Sequence, residues 1–369
     1  MIEKWDNGKQ ASKQASKQAS KQASKQASKQ ASKQASKQAR IDWVDFGKGL
    51  SIFLVVLGHV VLGLYESKRF QSDETWLWIF VQSIYIFHIP VFFALSGYFF
   101  KPVSSISEFK NYILNKSIQL GIPFIFYNII QFILQSIGGD SVRDAATLVD
   151  LINIYKAPLG VSWFLYVLWG IFFIQGFLSI KIKDYRLLFL LSLLGLLVVN
   201  IWPVDLMLPQ RVGLWASVFM FGNVLRHIEL SHKKVWLSIL FSSVLCYLTI
   251  WYHFDFENRI SYYLPKMWSL IFFIVVPFSF FLFQLYPKGK SFTYFDRYGK
   301  DSLVIYILHA PIVSVTRIVL LKLGIDDALI HIFAGLTFGW YASTFSVYLL
   351  KKIPYVDFVF YPSEYIKFK

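Results

Sequence analysis

Asp45, Lys48 and His59 lie on one apolar run, Asp42-Trp-Val-Asp45-Phe-Gly-Lys48-Gly49-Leu-Ser51-Ile-Phe-Leu-Val-Val-Leu-Gly58-His59. At about 1.5 Å of rise per residue, the eleven residues from Lys48 to His59 cover roughly 16 Å and close to three helical turns. A helix here carries carboxylate, ammonium and imidazole along one face. Ionisable groups inside a membrane are costly, and they face a bundle interior or a water-filled cavity where they bind ligands or move protons. A neutral imidazole, with an ordinary pKa of about 6.5, is a general base near neutral pH. Taken alone, a single histidine satisfied within a packed bundle would give the same pattern.

Two more histidines fall inside apolar runs. His88 stands two residues before Pro90, which removes a backbone donor and can kink its helix. His309 shares a face with Ser302 and roughly with Tyr306, and Arg317 follows on the same helix. Arg317 reads either as an intramembrane charge or as a side chain snorkelling to the interface. Ser96-Gly97 permits close helix approach, as small residues do in membranes. Trp163, in Ser-Trp-Phe-Leu, opens another apolar run and suits an interfacial anchor. No Gly-x-Ser-x-Gly elbow occurs, and Cys246, the single cysteine, has no motif around it. No histidine pair has the helical spacing of metal ligands, so no metal is expected. His227 and His232 fall in a basic segment and read as solvated.

The elements that must position these groups follow from composition. At 56% hydrophobic, 19% aromatic and 16% charged residues over 369 positions, the chain is expected to be an all-α polytopic membrane bundle. Apolar runs fall at about 47–65, 76–100, 118–137, 161–180, 187–202, 212–225, 235–252, 267–286, 302–321 and 329–350, which predicts about ten spans. Segments on one side (101–117, 181–186, 226–234, 287–301, 351–369) hold 17 Lys or Arg, and those on the other side hold 8. Positive-inside bias therefore predicts both termini in the cytoplasm. The first forty residues contain no apolar core, so no cleavable signal peptide is expected. The net charge of +15 includes the eight lysines from Lys9 to Lys37, and much of the rest falls in short loops. That distribution argues for membrane topology over nucleic-acid binding. The organisation read from this is an arm over 1–40, a membrane domain over 41–350 and a short cytoplasmic tail over 351–369.

The arm contains seven uninterrupted copies of Ala-Ser-Lys-Gln from Ala11 to Gln38. As peptide it is a charged, low-complexity leader. Read continuously, the four-base unit GCAA gives GCA AGC AAG CAA, which encodes this tetrapeptide. Few four-residue repeats can be written by a four-base unit. A tetranucleotide tract slips in replication and shifts frame, which predicts phase-variable expression. The alternative is a peptide kept as a linker or basic anchor.

The motifs together resemble the acyltransferase-3 family of integral-membrane acyltransferases that decorate bacterial surface glycans. The resemblance rests on Asp45, Lys48, Gly49 and His59; on Phe87-His88-Ile-Pro90 through Ser96-Gly97-Tyr98; on Ser162-Trp163-Phe164-Leu165; and on Gly299-Lys-Asp-Ser302 through Tyr306 and His309. It covers about residues 40 to 350. Much of the family has Arg where this chain has Lys48, and the branch similar to sugar O-acetylases often has Lys. A lysine cannot make the forked contact of an arginine. The resemblance implies acetyl transfer from acetyl-CoA to a hydroxyl of a surface glycan, either lipopolysaccharide or its lipid-linked precursor, in the bacterial inner membrane. It implies His59 as base with Asp45 in the catalytic column and Lys48 toward the charged end of coenzyme A. His88, Trp163, His309 and Arg317 then fall to the acceptor, with Trp163 as a wall for the sugar ring. Membrane lipid is the other expected partner. The competing class is a transporter or flippase of a lipid-linked saccharide with histidines for proton coupling. Inverted repeats would mark that class, and none is evident.

Overall fold

The computed structural model describes residues 42–138, 145–228, 236–237, 240–241, 243–244, 270–353 and 355–366. The chain divides into a unit 1–42, nearly all of it outside the described residues, and a unit 43–369 that holds the bundle. The Ala-Ser-Lys-Gln arm and most of the expected span 235–252 lie outside the described residues. The described residues contain helices and no strand. In chain order the principal helices are α1 (Asp42–Ser67), α2 (Glu74–Tyr98), α3 (Ile106–Gly138), α4 (Leu148–Ile152), α5 (Trp163–Ser179), α6 (Tyr185–Ile201) and α7 (Met207–Arg226). They continue with α8 (Phe272–Leu285), α9 (Lys290–Gly299), α10 (Ser302–Lys322), α11 (Ala328–Leu350) and α12 (Pro362–Tyr365).

Among the described residues, six segments are long and apolar enough to cross a membrane: α1, Gln71–Tyr98, α3, Gly160–Ser179, α10 and α11. Helices α6 and α8 are apolar but shorter, and the 20-residue α7 carries Arg211 and Arg226. Their outward faces are greasy: Ile125, Ile129, Ile133 and Ile137 form an exposed stripe on α3, and Phe338, Tyr341, Phe345 and Tyr348 are exposed on α11. A water-soluble surface rarely shows apolar patches on that scale, whereas a lipid-facing one requires them. The protein is a multi-pass membrane helix bundle.

Small residues set the helix spacing. Gly97 of α2 lies against the Phe219 carbonyl of α7, and Gly222 of α7 lies against the Ala94 carbonyl of α2. A Cβ at either position would land on backbone, so the two helices meet at the closest approach that side chains permit. Asn223, buried beside this crossing, donates to the carbonyls of Gly97 and Phe100 at 3.0 and 2.9 Å and so satisfies the end of α2. Trp215 stacks on Phe93 and Phe272 with centroids 4.9 and 5.2 Å apart, tying α7 to α2 and α8. On the other side α3 runs along α5, where Trp169 Nε1 donates to Ser117 Oγ at 2.9 Å.

Two segments read from sequence as loop or tail have structure. Residues 290–299 form α9, which buries Phe292 and leaves Tyr294 exposed. Phe292 stacks on Phe46 at 4.7 Å, and Tyr294 Oη accepts from Trp340 Nε1 at 2.7 Å. The segment after α11 folds back onto the bundle. Buried Asp301, ahead of α10, accepts from Lys351 Nζ at 2.7 Å and from Tyr361 Oη at 2.5 Å, and Phe360 meets Phe126 of α3 at 5.7 Å. Burial, then the Asp301 carboxylate, holds the Tyr361 phenol well above its ordinary pKa, so it stays a donor.

Candidate active site

Helix α1 carries the column read from the sequence. Asp45 and Lys48, one turn apart, pair with Nζ 3.7 Å from Oδ1; Asp45 is buried and Lys48 half-buried. Lys48 Nζ also lies 5.4 Å from the Phe99 ring centroid at the end of α2. Gly299 abuts the Asp45 carbonyl and Gly49 abuts the Phe295 carbonyl, so α9 presses on this end of α1 with no room for a side chain between them.

Further along α1, His59 meets His309 of α10 edge to face, with ring centroids 4.9 Å apart and planes at 75°. His88 of α2 reaches the same cluster through Tyr85, whose ring lies 4.5 Å from His88 and 6.0 Å from His59. Gly58 makes this possible: a Cβ there would crowd Ile84 and Tyr85 at 3.2 Å. All three imidazoles are anchored alike, with Nδ1 facing the carbonyl four residues back: Val55 for His59 at 2.9 Å, Ile84 for His88 at 2.9 Å and Ile305 for His309 at 3.1 Å. A carbonyl can only accept, so each Nδ1 holds the proton and each Nε2 is left with its lone pair. His309 is completely buried, and its Nε2 has no hydrogen-bond partner.

Trp163 joins the site through the turn before it. Gly160–Ser162 is a single 3-10 turn, entered at Gly160 with φ of +51° beneath the Tyr127 hydroxyl. Any side chain at Gly160 would be strained there. Buried Asn128 holds the turn by donating to Ser162 Oγ at 3.1 Å and accepting from Leu159 N at 2.8 Å. Tyr306, three residues before His309, donates its hydroxyl to the Val161 carbonyl. The Ser-Trp turn is therefore fastened to the helix that carries His309, and Phe164 lies 5.6 Å from the Tyr306 ring. Arg317 lies over Gly63, where its Nη1 occupies the space a Cβ would need, four residues beyond His59 on α1.

The structure thus brings together His59 and His309 directly, His88 through Tyr85, Trp163 through Tyr306, and Arg317 one turn beyond His59. Asp45 and Lys48 form a separate cluster at the start of α1. Exposed His227 stacks on Tyr185 at 4.0 Å, apart from these residues, and His232 lies outside the described residues. Among the described residues no group of three or more His, Cys, Asp or Glu could hold a metal. Sequence reading missed three members. Tyr85 bridges two histidines; Lys116 of α3 lies within electrostatic reach of Lys48, with its ammonium 4.3 Å from the Phe172 ring centroid; and the Arg211 guanidinium lies 4.4 Å from the Trp163 ring centroid. Both cations were assigned to loops, because hydropathy drops beside each of them.

These features define a polytopic membrane protein with three imidazoles clustered inside its bundle. The chain matches the family model described as an acyltransferase domain over residues 41–350, and it belongs to the acyltransferase-3 family. It is similar to nodulation protein NolL of Mesorhizobium japonicum, 30% identical over 123 residues, which are 33% of this chain and 31% of that protein. It is also similar to nodulation protein NolL of Sinorhizobium fredii, 38% identical over 84 residues, or 22% of each chain. The match thus spans under a third of either relative. No solved structure matches the chain.

Proposed function

We propose that the protein moves an acetyl group from acetyl-CoA to a hydroxyl of a cell-surface glycan, lipopolysaccharide or its lipid-linked precursor, in the bacterial inner membrane. The observation that carries the reading is His59, whose Nδ1–H is committed to Val55 so that Nε2 is a base within the bundle. In this reaction Nε2 takes the proton of the acceptor hydroxyl as its oxygen bonds to the thioester carbonyl carbon. The carbon–sulfur bond then breaks, and the proton passes to the departing thiolate.

Lys48, paired with Asp45 and neighboured by Lys116, supplies positive charge for the phosphates of coenzyme A at the cytoplasmic end of α1. Placing donor phosphates there matches both termini in the cytoplasm, the orientation that the 17-to-8 division of basic residues favours. His88, His309, Trp163 and Arg317 line the acceptor side, with the indole offered to the apolar face of a sugar ring. The test is acetyl transfer from labelled acetyl-CoA to purified lipopolysaccharide by membranes containing the protein. Label in the glycan that ester hydrolysis releases is the expected result; no label in the glycan refutes the reading.

A further inference from the structure

His59 and His309 present an imbalance of hydrogen-bonding groups. Their rings are in contact, each Nδ1–H is spent on its own helix backbone, and each Nε2 is an acceptor. Neither ring can donate to the other. The hydroxyl hydrogen of Tyr306, the phenol beside His309, is committed to Val161. The His309 Nε2 therefore stands fully buried and unsatisfied, a costly state for a polar group. A ligand that relieves it must bring a donor.

A single hydroxyl carries one hydrogen and can serve only one of the two nitrogens. If His59 takes the hydrogen of the reacting hydroxyl, His309 still needs another from the same ligand. We propose that the acceptor presents a vicinal diol: one hydroxyl is acylated through His59 while its neighbour donates to His309 Nε2. His309 thereby selects which hydroxyl of a sugar ring is acylated, because only a position with a correctly placed neighbour satisfies both nitrogens. This rests on the acetyl-transfer reading above and adds the acceptor's local chemistry.

The test uses membranes containing the full chain, with its amount normalised by immunoblot, labelled acetyl-CoA, and two small acceptors, trans-1,2-cyclohexanediol and cyclohexanol. Labelling of the glycan in the same membranes is followed in parallel. The wild-type chain is expected to acetylate the diol about tenfold better, the order expected for one buried hydrogen bond. His309→Gln places an amide oxygen near the Nε2 position and should keep the preference within about threefold, because that oxygen is still an acceptor. His309→Asn places its amide near Nδ1 instead and should bring the ratio close to one. A purely structural role for His309 would lower both acceptors together and leave their ratio unchanged. The proposal is overturned if the wild-type chain uses both alcohols equally, if it acetylates neither while labelling its glycan, or if the Asn variant retains the preference. Absence of any transfer from acetyl-CoA, glycan included, overturns the acetyl-transfer reading and the diol proposal with it.

Discussion

Replacing Gly97 with alanine should loosen the bundle measurably, while the same change at Gly121 should not. A Cβ at Gly97 falls on the Phe219 carbonyl, with the Phe219 Cα only 3.1 Å away. Backbone cannot rotate aside as a side chain can, so α2 and α7 must separate along a crossing that Gly222 and Ala94 also hold tight. Overpacking of this kind costs about 1–3 kcal/mol. One kcal/mol moves the melting temperature by roughly 2–4 °C for a domain of some 200 residues, so a fall of about 2–12 °C is expected. Gly121, in the middle of α3, has nothing within 4 Å of the added atom. There alanine brings only its better helix propensity, up to about 1 kcal/mol, and the melting point should hold or rise slightly. Fluorescence-monitored thermal unfolding of the three proteins in one detergent reads the contrast. If Gly97→Ala melts with or above the wild type, or if Gly121→Ala falls as far, the argument that the α2–α7 crossing is set by backbone contact is wrong.

The other predictions concern function. His59→Ala should cut acetylation of the glycan by about 10²–10⁴-fold with membrane insertion intact, as expected when a general base is removed; mass spectrometry of the glycan checks this, and normal acetylation at normal protein level would remove His59 from the mechanism. Lys48→Ala should raise the KM for acetyl-CoA by about tenfold, the scale of one charged contact, and Lys48→Arg should raise it less. Equal KM values for the two variants would argue against charge recognition there. Deleting Ala11 to Gln38 should leave activity intact, since a tract whose length drifts must be tolerated as peptide. Sister colonies should differ in GCAA number, with only in-frame lengths giving acetylated glycan; codons that are not a GCAA tract, or frames that do not track acetylation, would defeat the slippage reading.

Residues on one helix were the most legible part of the site. The pairing of Asp45 with Lys48 and the placement of His59 on α1 follow from helical periodicity alone, because no other element is needed to fix them. Contacts between distant segments were not legible in this way. Tyr306 bonds a carbonyl 145 residues away, and nothing in either segment's composition announces it. The α9 segment reads as a polar loop by average hydropathy, yet Phe292 turns inward and Tyr294 bonds Trp340, while Lys290 and Arg297 keep the rest wet. Lys116 and Arg211 fell just outside the apolar windows for the same reason: hydropathy averages locate helix centres and blur their ends. The extra length of α3, which begins at Ile106 against the 118 expected, brings Lys116 inside the helix.

The anchoring of the three histidines has a consequence for how such a protein can change. Each imidazole is aimed by the carbonyl one turn back on its own helix, and none depends on a neighbouring helix for its tautomer. The imidazoles are in that sense self-contained modules. Residues around them can be exchanged without disturbing which nitrogen carries the proton. The walls of the cluster can therefore change one residue at a time while every ring keeps its aim.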